Sequence, residues 1–252
     1  MENDVILLLL TIGGFLLGGI MFSRLIPMLV CKKDIAELGS DHNPGASNVF
    51  LTCGVPLGLV CLLLDMLKGF LPVYLAIEHA DPRSPIFIAV LIAPVLGHAV
   101  APFNHFNGGK CIAAAFGVMI ALLPITRIGL LLAGLYIFFS VVIKIKPNRN
   151  RSMLTFALFG IISGIWLLIT GKRTISAGCV VISAIVFLRH TRFFSTVNDD
   201  IEKSEKSAAA KENAACAVGA AGGASAFDTS APGITEEEQE TAGFDGGMGH
   251  AV

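Results

Sequence analysis

The chain has 252 residues, 54% of them hydrophobic and only 15% charged, where a soluble domain carries about 25% charged residues. That balance excludes a soluble globular enzyme, a disordered or collagen-like chain and a nucleic-acid binder with a large basic face, and it leaves a polytopic membrane protein. The net charge of -1 conceals two unlike parts: residues 199–252 hold 11 acidic and 3 basic residues, while residues 1–198 hold 8 acidic and 15 basic ones.

A bilayer span takes about 20 apolar residues. Seven stretches come close to that: 5–30, 56–77, 84–102, 110–123, 125–143, 152–170 and 174–188. The fourth and seventh are short, which neighbouring spans or local bilayer thinning would tolerate. Prolines and glycines punctuate the boundaries, among them Pro56, Pro82, Pro102, Pro124, Pro147 and Gly171. With seven spans, the loops 31–55, 103–109 and 144–151 and the C-terminal tail share one side. Lys32, Lys33, Lys144, Lys146, Arg149 and Arg151 lie there, with Arg24, Lys110, Arg189 and Arg192 at its borders. The opposite side has Arg83, Lys172 and Arg173, with Arg127 just beyond. Basic residues favour the cytoplasmic face. The expected fold is therefore an all-α polytopic integral membrane protein of about seven transmembrane helices, N-terminus outside and C-terminus cytoplasmic. Residues 1–198 are the expected membrane domain. Residues 199–252, acidic and rich in Ala and Gly, are expected to be a disordered cytoplasmic tail.

Small residues at Gly13, Gly14, Gly18, Gly19, Gly129, Gly134, Gly160 and Gly164 would let helices approach closely in lipid. The six cysteines form no CxxC pair and no regular spacing, so neither a disulfide framework nor a zinc site is expected. Glu2 and Asp4 stand where a secretory signal would be basic.

Polar residues gather in the loops assigned to the cytoplasm. The first loop offers Ser40, Asp41, His42, Asn43, Ser47 and Asn48 around Pro44 and Gly45, either a capping connector or a cluster of hydrogen-bonding groups. In the second, Asn107, Gly108, Gly109 and Lys110 precede an apolar helix. Two glycines, a helix N-terminus and a lysine can cradle a phosphate, and they can also form a plain turn. Asp65 and Lys68 lie within an apolar span, 12 residues past Pro56 in the case of the lysine. Charge at that depth is paired or functional. His98, one turn before Pro102, suits a base, a donor to an oxyanion or an interhelical hydrogen bond. Arg149 to Ser152 open one span and Arg189-His190 close another, from the same side. Cations, serines, asparagines and histidines from four segments thus face one compartment. Such a set suits a small, doubly charged phosphate ligand at the membrane surface.

At these residues the sequence resembles the PlsY-type acyl-phosphate:glycerol-3-phosphate acyltransferases, as a divergent member. The resemblance runs from about residue 17 to 202. Gly39-Ser40 with Asn43 to Val49 is similar to the family's GSGN-x-GATNV, Asp65-x-x-Lys68-Gly69 to DxLKG, and Gly97-His98 with Gly108-Gly109-Lys110 to GH…KGGKG. Arg149-x-x-Ser152 resembles its third cytoplasmic motif, and Arg189-His190 with Glu202 its C-terminal one. The resemblance implies a multi-pass enzyme of the bacterial inner membrane whose active site faces the cytoplasm. It implies transfer of a fatty acyl group from acyl-phosphate to glycerol 3-phosphate, giving lysophosphatidic acid for phospholipid synthesis. It implies no cofactor, no metal, no nucleic acid, no acyl-CoA and no acyl carrier protein. His98, Lys110 and Ser152 would carry catalysis. Ser40, Asn43, Gly45, Asn48, Lys68, Gly108, Gly109, Arg149, Arg189 and His190 would hold substrate and phosphate.

The sequence departs from the family pattern in places. Ala36 and the stretch Phe50-Leu51-Thr52 stand where arginines are expected, Asn107 replaces a lysine, Cys111 a glycine, Ala114 a threonine and Phe193 an asparagine. Each lost phosphate contact weakens binding by about 1.5–3 kcal/mol. Arg151, Lys146 and His42 are the side chains at hand to compensate. Three rival readings follow: an inactive relative that binds lipid or phosphate, a member with a different phosphorylated acceptor, and a small transporter. A transporter needs polar groups reaching the midplane from both sides, whereas here they face one side.

Overall fold

The computed structural model describes residues 2–38 and 43–191. Residues 199–252, read above as a tail, lie outside the described residues. Every element among the described residues is helical: α1 (Glu2–Gly19), α2 (Phe22–Val30), α3 (Ile35–Leu38), α4 (Ala46–Cys53), α5 (Val55–His79), α6 (Phe87–Val100), a 3-10 turn Pro102–Asn104, α7 (Ile112–Ala121), α8 (Ile128–Ile137) running on into a π-helical turn Phe138–Val142, α9 (Asn148–Ile169) and α10 (Arg173–Arg189). Each of the seven apolar stretches contains a helix. Four helical segments are long and apolar enough to cross a membrane: α1, α5, α6 with its 3-10 turn, and α9. With a rise of 1.5 Å per residue, the 25 residues of α5 exceed the roughly 30 Å of a hydrocarbon core, and the 10 residues of α7 cover about half of it. The stretch 110–123 is thus a shorter helix than the sequence suggests, because Cys111 takes a left-handed conformation (φ 65°) ahead of it and Leu122 ends it.

The stretch 5–30 is not one helix either. The chain leaves helical geometry at Ile20 and Met21, where Met21 has ψ 78°. The cause sits on α5. Lys68 Nζ donates to the Ile20 carbonyl at 2.6 Å and lies 2.8 Å from an Asp65 carboxylate oxygen. Ser23, at the start of α2, donates to the other Asp65 oxygen. A carbonyl taken by a buried ammonium does not serve the helix ladder. Arg24 N–H accordingly bonds to Met21 instead of Ile20.

The helices pack as α1 on α6, α5 on α7 and α9 on α10, with α6 also against α10. Lipid offers no hydrophobic drive for this, so close van der Waals approach must supply it. At the α1–α6 crossing a methyl on Gly18 would meet the Pro94 backbone, and one on Gly97 the Phe15 carbonyl. At the α5–α7 crossing the same holds for Gly69 against Ala114 and Gly117 against Met66. Of the glycines expected to mediate contacts, Gly13 and Gly134 face open space. Their replacements as contact points, Gly69, Gly97 and Gly117, lie in less glycine-dense sequence. Aromatic and branched side chains such as Phe156, Phe159, Leu91 and Leu132 fill the interior. The outer faces are apolar too, with Leu9 63% and Ile169 76% exposed, as a lipid-facing surface requires.

Candidate active site

The first loop enters the site through Asn43, Pro44 and Gly45, which lead into α4 with Gly45 extended just before it. The Asn43 carbonyl accepts from the Gly45 N–H at 2.8 Å and from Asn48 Nδ2 at 2.9 Å, so the two buried asparagines brace one tight turn. Ser40 lies outside the described residues. Arg24 holds the loop's other end. It binds Asp34 through both carboxylate oxygens and donates to Asn104, which joins the first loop to the second. The hydrogen bond from Arg24 holds the Asp34 carboxyl below its usual range.

The second loop folds back on the end of α6. Ala101, His105, Phe106 and Cys111 all have positive φ, so the backbone turns tightly. Here both glycines of the expected phosphate cradle bond within the loop. Gly109 N–H donates to the His98 carbonyl at 3.2 Å and Gly108 N–H to the Phe106 carbonyl at 3.1 Å. Both N–H groups are therefore engaged within the loop. Their carbonyls are taken as well: Arg189 Nε donates to Gly109 at 3.1 Å, and its Nη2 to Gly108. Glycine is needed at both places for closeness. A methyl at Gly108 would strike the Ala99 carbonyl, and one at Gly109 the His98 ring.

At the C-terminal end of α10, His190 is buried, and its Nδ1 lies 2.7 Å from the Val186 carbonyl. A carbonyl only accepts, so Nδ1 carries the proton and Nε2 keeps its lone pair. Burial pushes the ring's pKa down to about 4, and Lys110, Arg149 and Arg189 act in the same direction. His190 is neutral at physiological pH. Its own carbonyl accepts from Arg149 Nε.

A cavity of about 570 Å³ opens between these pieces. Seven of the residues expected at a site line it: Asn43, Gly45, Asn48, His98, Lys110, Ser152 and His190. Apolar side chains Phe50, Leu51, Leu62, Met66, Ile112 and Phe116 line it as well. Ser152 Oγ donates to the Asn148 carbonyl at 3.0 Å. His98 Nδ1 is buried and has no hydrogen-bond partner among the described residues.

The other expected residues are placed differently. Gly108, Gly109, Arg149 and Arg189 stand behind the cavity wall and latch its loops through carbonyls. Lys68 is also absent from the wall. It is 1% exposed and held by Asp65 and the Ile20 carbonyl at the α1–α2 break. Sequence reasoning missed Tyr136 and Asn148 as wall residues and named Arg151 only as a side chain that could compensate for lost contacts. The helical spacing of Asn148, Arg151 and Ser152 is the signal that would have found two of them. Nothing in the apolar run around Tyr136 marks it. Among the described residues no cluster of three or more His, Cys, Asp or Glu side chains gathers to hold a metal ion.

This architecture, apolar helices around a cavity lined by both polar and apolar side chains, is that of a polytopic membrane protein. The family described as glycerol-3-phosphate acyltransferase matches residues 8–198. The chain belongs to that family. A glycerol-3-phosphate acyltransferase of Lawsonia intracellularis is 33% identical over 187 residues, covering 74% of this chain and 89% of that one. One from Hydrogenobaculum sp. is 37% identical over 131 residues, 52% of this chain and 66% of that one. Thermotoga maritima glycerol-3-phosphate acyltransferase 2 is 42% identical over 114 residues, 45% of this chain and 57% of its own length. The matched stretches thus take in less than two thirds of the latter two relatives. The crystal structure of PlsY, an integral membrane glycerol 3-phosphate acyltransferase, in its glycerol 3-phosphate form superposes with a TM-score of 0.65 at 28% identity, covering 77% of this chain and 92% of that one. Its lysophosphatidic acid form gives 0.63 at 26% identity, with the same coverage.

Proposed function

We propose that the chain is a membrane acyltransferase that moves a fatty acyl group from acyl-phosphate to glycerol 3-phosphate, releasing phosphate and lysophosphatidic acid for phospholipid synthesis. The observation that carries this reading is the mixed lining of the cavity. Lys110, Ser152, Asn43 and Asn48 suit phosphate, and Phe50, Leu62, Met66 and Phe116 suit an acyl chain. Membership of the acyltransferase family supports the same chemistry.

In the reaction the C1 hydroxyl oxygen of glycerol 3-phosphate bonds to the acyl carbonyl carbon. The bond from that carbon to the phosphate oxygen breaks, and phosphate leaves with the electron pair. The hydroxyl proton goes to a phosphate oxygen. A phosphate dianion, with a pKa of about 6, is a stronger base than a His190 ring whose pKa lies at about 4. Lys110 offsets charge on the departing phosphate. The asparagines and Ser152 hold two anions together, which lowers the entropic cost of their encounter. The carbonyl latches of Arg149 and Arg189 position the walls that carry Lys110 and His190.

The reading includes seven spans, an outside N-terminus and a cytoplasmic site in a bacterial inner membrane, supported by the excess of basic residues in the site-bearing loops. It also keeps residues 199–252 as an appendix to the membrane domain 1–198. Deleting 199–252 is expected to leave turnover within about twofold. A larger loss in the truncated enzyme sinks that division.

The central test is direct. Purified protein in mild detergent receives palmitoyl-phosphate and glycerol 3-phosphate, and phosphate release and lysophosphatidate are followed together. Turnover is expected, and Lys110→Ala is expected to lower it by about 10²–10³-fold. A folded wild-type protein that binds both ligands without turnover supports the inactive relative. Turnover with another phosphorylated polyol alone supports a different acceptor.

A further inference from the structure

The cationic groups of the cavity are unevenly distributed over its walls. The α4 wall presents apolar Phe50 and Leu51, the latter 84% exposed. Lys110 comes from the start of the α7 wall. Among the described residues, the one arginine on the wall is Arg151, from the first turn of α9. Its guanidinium carbon lies 5.2 Å from the centroid of the Tyr136 ring. That ring is fixed from another direction by Phe116, in a T-shaped contact at 5.7 Å and 82°. The Tyr136 hydroxyl lies 3.5 Å from Ser152 Oγ. A ring face attracts a guanidinium and leaves its N–H donors to meet an acceptor. The acceptor is missing: Arg151 Nε is buried and has no hydrogen-bond partner among the described residues. A buried guanidinium N–H without an acceptor is costly, and an anionic oxygen entering the cavity relieves that cost.

We infer that Arg151, placed over the Tyr136 ring, is a further substrate-binding residue that grips a terminal phosphate oxygen of the ligand in this cavity. The inference rests on the acyltransferase reading for the identity of its ligands, glycerol 3-phosphate and acyl-phosphate, which share that terminal phosphate. Arg149, two positions away, has the same charge and a different task, since its Nε is spent on the His190 carbonyl. Tyr136 is the positioning residue. Its ring face attracts the guanidinium and its hydroxyl touches Ser152, without supplying charge.

The experiment compares wild type with Arg151→Gln, Arg151→Lys, Tyr136→Leu and Tyr136→Phe in detergent. Affinities for glycerol 3-phosphate and for inorganic phosphate are measured by calorimetry. KM is measured separately for glycerol 3-phosphate and palmitoyl-phosphate, with kcat and the melting temperature beside them. Arg151→Gln is expected to weaken one phosphate ligand by about tenfold or more, with the melting temperature held. Arg151→Lys is expected to recover only part of the loss, because an ammonium lacks the planar fork. Tyr136→Leu is expected to weaken the same ligand by about threefold to fivefold, and Tyr136→Phe to leave it near wild type. A rise confined to the KM of glycerol 3-phosphate places the grip on the acceptor, and one confined to palmitoyl-phosphate places it on the donor. Affinities and both KM values within twofold of wild type in Arg151→Gln overturn the inference. Should wild type bind phosphate ligands without turnover, the acyltransferase reading fails and the calorimetric comparison still decides Arg151. Should Arg151→Gln fail to fold, Arg151→Lys and Tyr136→Leu give the same comparison, and wild-type affinity in both overturns the inference.

Discussion

Two polar regions lie side by side in this membrane domain, and they handle charge in opposite ways. In the first, Asp65, Lys68, Ser23 and the Ile20 carbonyl close on one another, and the ammonium is spent on protein acceptors. In the second, Lys110, Arg151, Ser152 and His190 line an open cavity, and the Arg151 Nε lacks an acceptor among the described residues. Both regions look alike as a list of charged residues in apolar sequence. They differ in the placing of their cations: Lys68 is off the cavity wall and Lys110 and Arg151 are on it, while Asp65 belongs to both regions, paired with Lys68 and lining the cavity. Charge deep in a span thus marks a place of constraint, and only the direction in which it faces tells a structural pin from a binding group.

The largest expected effect breaks the closed region. Lys68→Met leaves the Asp65 carboxylate buried beside Ser23 alone, and loss of one partner of a buried pair costs about 3–5 kcal/mol. A sharply lower melting temperature in detergent is expected, with partial recovery when Asp65→Leu is added. A stable single variant that loses only substrate affinity would move Lys68 into the open region.

A somewhat smaller effect comes from pH. His190 titrates at about 4 when folded, below its ordinary value of 6.5. Between those values the unfolded chain takes up a proton that the native ring refuses. Stability at this position is therefore full above pH 6.5 and falls as pH drops toward 4, by on the order of 2–3 kcal/mol. His190→Gln should flatten that slope in a melting series from pH 7.5 to 4.5. An unchanged slope argues that other groups carry it.

The smallest of the three sharpens the open region. Ser152→Ala removes one hydroxyl from the wall and leaves the packing of α9 intact. A hydrogen bond to a charged ligand is worth about 1.5–3 kcal/mol, so kcat/KM should fall by about tenfold to a hundredfold with little change in melting temperature. A change below threefold would remove Ser152 from the catalytic set.

The helices were largely legible in the sequence because apolar runs and Pro or Gly boundaries are local signals. The break at Ile20–Met21 was not, since its cause lies on another helix, 48 residues away. Site residues divided on the same ground. Lys110, Ser152 and His98 could be singled out by residue type next to a loop. Arg149 was read as a phosphate contact and Arg151 only as a stand-in for missing arginines, because helical phase decides that one reaches a carbonyl and the other the cavity. Gly108 and Gly109 were legible as special, with an anion cradle and a plain turn both open as the reason. A glycine pair before a lysine fits an anion cradle and an overcrowded turn equally well, and only the engaged N–H groups tell the two apart.

The carbonyl latches of Arg149 and Arg189 set a schedule for biosynthesis. Arg189 reaches back 80 positions to the Gly109 carbonyl, and Arg149 reaches forward 41 positions to His190. A nascent chain that has inserted α1 through α9 already holds Lys110 and Ser152, yet its loop lacks the clasp that only the last helix brings. Catalytic competence therefore arrives late in translation, at the final helix, and a ribosome-stalled precursor stopping before it would sit in the membrane as an assembled but idle frame.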